Sequence, residues 1–129
     1  MQLLWTSWLT VAVLGLYLWI IYKVGNARAT FQIKAPAVDG PPEFLRVLRV
    51  HANTVEQMVL FFPALWLCAL WTGDKLAAAL GLVWLVGRFM YAVAYYSDAS
   101  KRSMGFMISL LAALGLLLAA MTGMSGVLK

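Results

Sequence analysis

The chain has 129 residues, 64% of them hydrophobic and only 12% charged, with a mean hydropathy of +0.85. A soluble domain of this size cannot bury so much apolar surface. Ten Lys and Arg against five Asp and Glu give a formal charge of +5, which in so apolar a chain orients it in a membrane and is not the footprint of a nucleic-acid-binding protein.

Leu3 to Tyr22 carries no charge and stops at Lys23, predicting a first spanning helix over about residues 3–24. Trp5, Trp8, Trp19 and Tyr22 stand near its ends as interfacial anchors. No basic segment precedes it and no small-residue cleavage pattern follows it, so it reads as a span and not as a signal peptide. The stretch from Gly25 to Glu43 is polar. Within it, Gly40-Pro41-Pro42-Glu43 marks a helix start, with proline in the first turn and an acid at the positive end of the dipole. A second span is expected over about 44–73, kinked by Pro63. The turn Gly73-Asp74-Lys75 leads to a third over about 76–97, apolar except for Arg88. After Asp98 to Arg102, a fourth over about 103–126 lies in an uncharged run that reaches Leu128. Gly115, Ala119 and Gly123 give that helix a small-residue stripe for close packing. The fold class is an all-α integral membrane protein, a four-transmembrane-helix bundle forming one domain over residues 1–129.

With four spans, the first and third connections share one side of the membrane. Lys23, Arg28, Lys34, Lys101 and Arg102 fall on that side, with Arg46 and Arg49 close by, against Lys75 and Lys129 on the other. The positive-inside bias therefore places the first and third connections in the cytoplasm. Cys68, among Trp66, Leu67 and Leu70, reads as a buried structural thiol. One Cys and one His cannot assemble a zinc set from soft ligands. There is no P-loop or GxGxxG, and His51 has no serine partner for nucleophilic catalysis.

The informative residues are the charges inside the spans. At 100° per residue Arg46, Arg49, Asn53 and Glu56 fall within an arc of about 80°, a polar stripe from which His51 points away. A rise of 1.5 Å per residue sets Glu56 about 15 Å along the axis from Arg46, so that with Arg46 near the interface Glu56 approaches mid-bilayer. An ionised group at that depth costs roughly 2.5 to 3.5 kcal/mol, so the stripe needs partners or a wet cavity. Either Arg49, Glu56 and Arg88 pair among themselves and fix helix register, or the stripe binds something. On the third helix Arg88, Tyr91 and Tyr95 fall within about 60°, with Tyr96 pointing elsewhere. The two stripes together make a donor-rich pocket suited to a small molecule with two carboxylates and one ammonium.

Gly40-Pro-Pro-Glu-Phe, then Arg46-x-x-Arg49-x-x-x-Asn53-x-x-Glu56, the step Phe62-Pro63, Gly87-Arg88-x-x-Tyr91-x-x-x-Tyr95 and Arg102 together resemble the MAPEG family, membrane-associated proteins of eicosanoid and glutathione metabolism. The match runs from about Arg28 to Phe106 in order and spacing. The resemblance implies a homotrimer with glutathione as co-substrate, bound between subunits near the cytoplasmic face. It assigns Arg49, Asn53, Glu56, Arg88, Tyr91 and Tyr95 to glutathione, with Arg28 as a candidate contributor from the end of the first helix, and Arg102 to thiol activation. Arginines suit the tripeptide's carboxylates, while Glu56 and Asn53 suit its ammonium and amides. No metal is implied.

Phe106 stands where some prostaglandin-forming members carry tyrosine, Gln57 where several eicosanoid-forming members carry an aromatic, and Ala29 where some carry a second arginine. These departures point away from leukotriene or prostaglandin synthesis. The expected function is a detoxifying glutathione transferase or peroxidase, joining the thiolate to a hydrophobic electrophile or reducing a lipid hydroperoxide among the membrane lipids. The alternative is a non-catalytic lipid- or fatty-acid-binding scaffold of the same family, from which intact Arg49 and Glu56 argue away. A small four-helix transporter would leave the Arg and Tyr stripes without a purpose. The short connections fit a bacterial inner membrane, with the site toward the cytoplasm.

Overall fold

The computed structural model describes residues 2–126, so Lys129 and the end of the uncharged run at Leu128 lie outside the described residues. Among the described residues four helices make up the bundle: α1 (Leu4–Phe31), α2 (Pro42–Trp71), α3 (Asp74–Ser97) and α4 (Ser103–Met124), with one 3-10 turn at Ala99–Lys101 before α4. All four are long and apolar enough to cross a membrane. α3 packs on α2 and α4, and α1 packs on α2 and α3.

α1 outruns its expected end. Its 28 residues span about 42 Å, more than the ~30 Å hydrocarbon core, and the segment Gly25 to Phe31, expected as polar connection, forms two further turns. The chain turns off at Gln32, in the left-handed conformation at φ 55°. Arg28 fastens this end by donating from Nη1 to the Ala37 carbonyl at 2.8 Å. A basic side chain in the last turn serves the free carbonyl end of the helix, and local polarity alone conceals it.

α2 starts as its sequence implies, with Pro42 at the first helical position and Glu43 in the first turn, and continues through Pro63 to Trp71. Gly73, at φ 134°, closes the two-residue turn Thr72-Gly73 into α3, a backbone conformation open to glycine and strained for other residues. Asp74 then acts on a different helix. Its carboxylate accepts the backbone N–H groups of Trp5 at 3.0 Å and Thr6 at 2.8 Å, satisfying two of the free donors at the start of α1. The Thr6 hydroxyl donates back to the Asp74 carbonyl at 3.3 Å. One residue thus ties together the N-termini of α1 and α3.

The tightest helix crossing is between α3 and α4, at Gly87 and Gly105. A Cβ on Gly87 would stand 2.8 Å from the Ser109 nitrogen, and one on Gly105 would strike the Tyr91 backbone nitrogen. The expected stripe on α4 contributes differently at each position. Gly115 has nothing nearer than Leu80 at 3.9 Å, Ala119 offers its carbonyl to the Thr72 hydroxyl at 2.9 Å, and Gly123 lies against the end of α2 at Trp71. Spacing picked out small residues, but which of them meet a backbone depends on where α3 crosses.

The core centres on Phe61 and Trp84, stacked at 3.9 Å between centroids, with Val13, Leu65, Cys68 and Leu116 buried around them. Trp5, Trp8 and Tyr22 are well exposed near the two ends of α1's apolar run, as interfacial anchors are. Trp19 instead packs on Phe89 and Tyr96.

Candidate functional site

Helices running alternately up and down bring the start of α2, the end of α3 and the start of α4 to the same end of the bundle. There Arg49, Asn53, Tyr91, Tyr95, Arg102 and Phe106 line a cleft of about 380 Å³, with Ser103 and Met107 at its edge. Five residues singled out from the sequence are therefore neighbours in space. No acid is among the described residues that line this cleft, so two guanidiniums face into it uncompensated, and the cleft favours an anion.

Each side chain is placed by its helix. Asn53 sits one turn beyond Arg49 on α2, and its buried Oδ1 has no hydrogen-bond partner among the described residues, leaving an acceptor available to a ligand N–H. Tyr91 and Tyr95, a turn apart on α3, lie 5.4 Å centroid to centroid in a T-shaped pair. Arg102 immediately precedes α4, with its guanidinium carbon 5.7 Å from the Tyr95 ring centroid, and its Nη1 donates to the Ala99 carbonyl at 2.6 Å. No side chain among the described residues caps the start of α4, so the cleft ends on free backbone N–H groups at the positive end of a helix dipole.

The turn that sets Arg102 is itself pinned. Asp98 Oδ1 accepts from the Ser100 backbone N–H at 3.0 Å and from its hydroxyl at 2.9 Å. These bonds, the backbone one first, hold the Asp98 carboxyl below its ordinary value. Arg46 braces the same region by donating from Nε to the Tyr96 carbonyl at 3.3 Å.

The remaining three expected site residues lie elsewhere in the chain. Arg88 is completely buried behind Tyr91 and outside the cleft lining. Its Nη2 donates to the Thr54 hydroxyl at 2.8 Å, its guanidinium carbon lies 4.2 Å from the Tyr91 ring centroid, and Nε and Nη1 have no partner among the described residues. Arg28 lies in a separate, largely apolar groove of about 620 Å³ between α1 and α2, which also holds His51 and reaches Arg49. His51 there bonds the Tyr17 hydroxyl at 3.1 Å. Glu56 is exposed and lines neither depression.

Thr54 and Ser103 were not picked out from the sequence. Thr54 lies off the α2 stripe because the buried guanidinium it serves comes from the interior side. Adjacency to Arg102 at the start of a helix was the available signal for Ser103.

The chain is 43% identical over 120 residues to an uncharacterized protein of Synechocystis, covering 93% of this chain and 88% of that one. It is 41% identical over 88 residues to human microsomal glutathione S-transferase 2, covering 68% of this chain and 60% of the human protein. Against rat leukotriene C4 synthase it is 37% identical over 95 residues, covering 72% of this chain and 63% of the rat protein. It thus spans less than two thirds of the human and rat relatives. Residues 6–122 match the model of the MAPEG family. A multi-pass membrane bundle with this stripe order, matched over nearly its whole length, belongs to the MAPEG family.

Proposed function

We propose that the protein is a membrane-embedded glutathione transferase, with glutathione peroxidase as its second activity, working as a homotrimer with the cleft facing the cytoplasm. The observation that carries this reading is an acid-free cleft with two arginines, closed by the uncapped start of α4. Glutathione fits that donor set. Arg49 suits a carboxylate by bidentate bonding, the Asn53 oxygen suits a peptide N–H, and the Tyr91 and Tyr95 hydroxyls donate to the remaining oxygens.

A thiol of pKa near 8.5 is mostly protonated at pH 7, and a nearby guanidinium and helix N-terminus both favour the thiolate. Arg102 and the free N–H groups of α4 supply both. The thiolate then attacks an electrophilic carbon, forming the C–S bond as the leaving group departs with its electron pair. Phe106 and Met107 give the cleft an apolar margin, through which an electrophile or lipid hydroperoxide reaches the sulfur from the bilayer.

The trimer is supported by what one chain leaves uncovered. Glu56 is exposed on a spanning helix beside Val55 and Val59, which are 37% and 72% exposed. A carboxylate facing lipid at that depth costs roughly 2.5 to 3.5 kcal/mol, and a second copy packed on α2 removes the exposure while bringing a further Arg28 and Glu56 within reach of the cleft. The cytoplasmic placement is supported by seven basic residues at or near the cleft end, Lys23, Arg28, Lys34, Arg46, Arg49, Lys101 and Arg102.

The test is turnover of a chlorinated nitroaromatic with glutathione by the purified, detergent-solubilised protein. Glutathione-dependent release of chloride above the uncatalysed rate is expected. Glutathione binding without turnover, against this substrate and against a lipid hydroperoxide, would overturn the enzyme reading in favour of a binding scaffold.

A further inference from the structure

A second polar cleft, of about 230 Å³, opens where the last turns of α1, the first turns of α2 and the end of α3 meet. Its polar lining comes from Lys23, Asn26, Thr30, Glu43 and Tyr96, and the rest of its wall is apolar. None of these residues lines the cleft proposed for glutathione. Lys23 Nζ rests 5.5 Å from the ring centroids of both Trp19 and Tyr96. The Tyr96 hydroxyl is buried with no hydrogen-bond partner among the described residues, although groups so placed are nearly always satisfied.

We propose that this cleft binds phosphoethanolamine, presented as the headgroup of a membrane phospholipid. Depth comes first: the uncharged run from Leu3 to Tyr22 is about 30 Å of helix, the thickness of the hydrocarbon core. Lys23 therefore stands where headgroups begin. Glu43 in the first turn of α2 and Tyr96 in the last turn of α3 reach the same level from the other two helices.

Charge comes second. The lining holds one cation and one anion, which matches a zwitterion better than either single charge. Lys23 and Asn26 are donors for phosphate oxygens, with the Thr30 hydroxyl beside them, and Glu43 accepts from a primary ammonium. The Tyr96 hydroxyl donates to phosphate or accepts from the ammonium. An anionic headgroup lacking the ammonium can offer Glu43 hydroxyl donors but no charged one. A trimethylated ammonium keeps its charge but has no N–H to give.

The experiment is native mass spectrometry of the whole protein in mild detergent, titrated with phosphatidylethanolamine, phosphatidylcholine and phosphatidylglycerol of identical acyl chains. Phosphatidylethanolamine is expected to bind roughly ten-fold more tightly than phosphatidylcholine, the ratio that one charge-assisted hydrogen bond supplies. Glu43 is exposed, so Glu43→Gln keeps the fold, and it should erase that preference while leaving phosphatidylcholine binding unchanged. Lys23→Gln should weaken all three lipids. Glycerophosphoethanolamine, which carries the group without acyl chains, separates the two sources of the ligand. Weak competition by it assigns the lipid, and competition equal to that of the intact lipid overturns the assignment to a bilayer headgroup. Equal binding of the three lipids, or a preference that survives Glu43→Gln, overturns the site itself.

Discussion

Arg88 and Arg102 carry the same guanidinium into opposite circumstances. Arg88 is sealed beneath Tyr91 with one hydrogen bond, to Thr54, so the Tyr91 face is its main remaining stabilisation, of a kind worth about 2 kcal/mol or more when desolvated. Arg102 is exposed at the cleft and held by a backbone carbonyl, free to serve a ligand without breaking a buried pair. Arg102→Ala should therefore leave glutathione affinity nearly unchanged while lowering turnover at neutral pH by roughly ten-fold or more. The sign of the pH effect follows from the thiol. Without the guanidinium its pKa rises toward 8.5, the thiolate fraction falls at neutral pH, and turnover recovers as pH climbs through that value. A pH profile of conjugation rate, with thiolate followed by its ultraviolet absorbance, checks this; equal thiolate content in wild type and variant would leave Arg102 as a membrane anchor.

Among elements, the α3–α4 contact bears most directly on the cleft, because Gly105 touches the backbone of Tyr91 while Arg102 stands one turn before it. Gly105→Ala forces the two helices apart, at a cost of about 1 to 3 kcal/mol for overpacking, and should weaken glutathione binding along with stability. Gly115→Ala on the same helix, with open space around it, should be neutral or stabilising by up to about 1 kcal/mol through helix propensity. Thermal unfolding in detergent separates the two, and similar melting points would refute the contrast. Helical periodicity made the grouping of Arg49 with Asn53 and of Tyr91 with Tyr95 readable, because i, i+3 and i+4 spacings translate directly into a shared face. It did not reveal which way each face turns. Arg88 shares the tyrosines' arc yet points toward Thr54, because inter-helix rotation is set by packing. The length of α1 was hidden for a related reason, since its last turns are held by a hydrogen bond from Arg28 to a residue beyond the helix.

At the scale of the whole molecule, one chain exposes Glu56 and keeps Arg28 in a separate groove, so assembly and ligand binding are expected to be one property. Native mass spectrometry should find a trimer, and Glu56→Gln should lower glutathione affinity about ten-fold by calorimetry if the carboxylate holds the ammonium. A monomer that binds glutathione with full affinity would refute the coupling. Long-range ties were the least legible feature of the sequence, and Asp74 is the clearest case. It reads as an ordinary turn residue, yet it accepts from Trp5 and Thr6 across 68 or more positions of chain. That clamp lies at the opposite end of the bundle from both clefts. Two rods pinned together at one end can change their separation at the other only by rotating about the pin. Any change in spacing between α1 and α3 at the ligand end is thus a rotation about Asp74 that must also part Trp19 from Phe89 and Tyr96, over about thirty ångströms of helix, the span of the bilayer core.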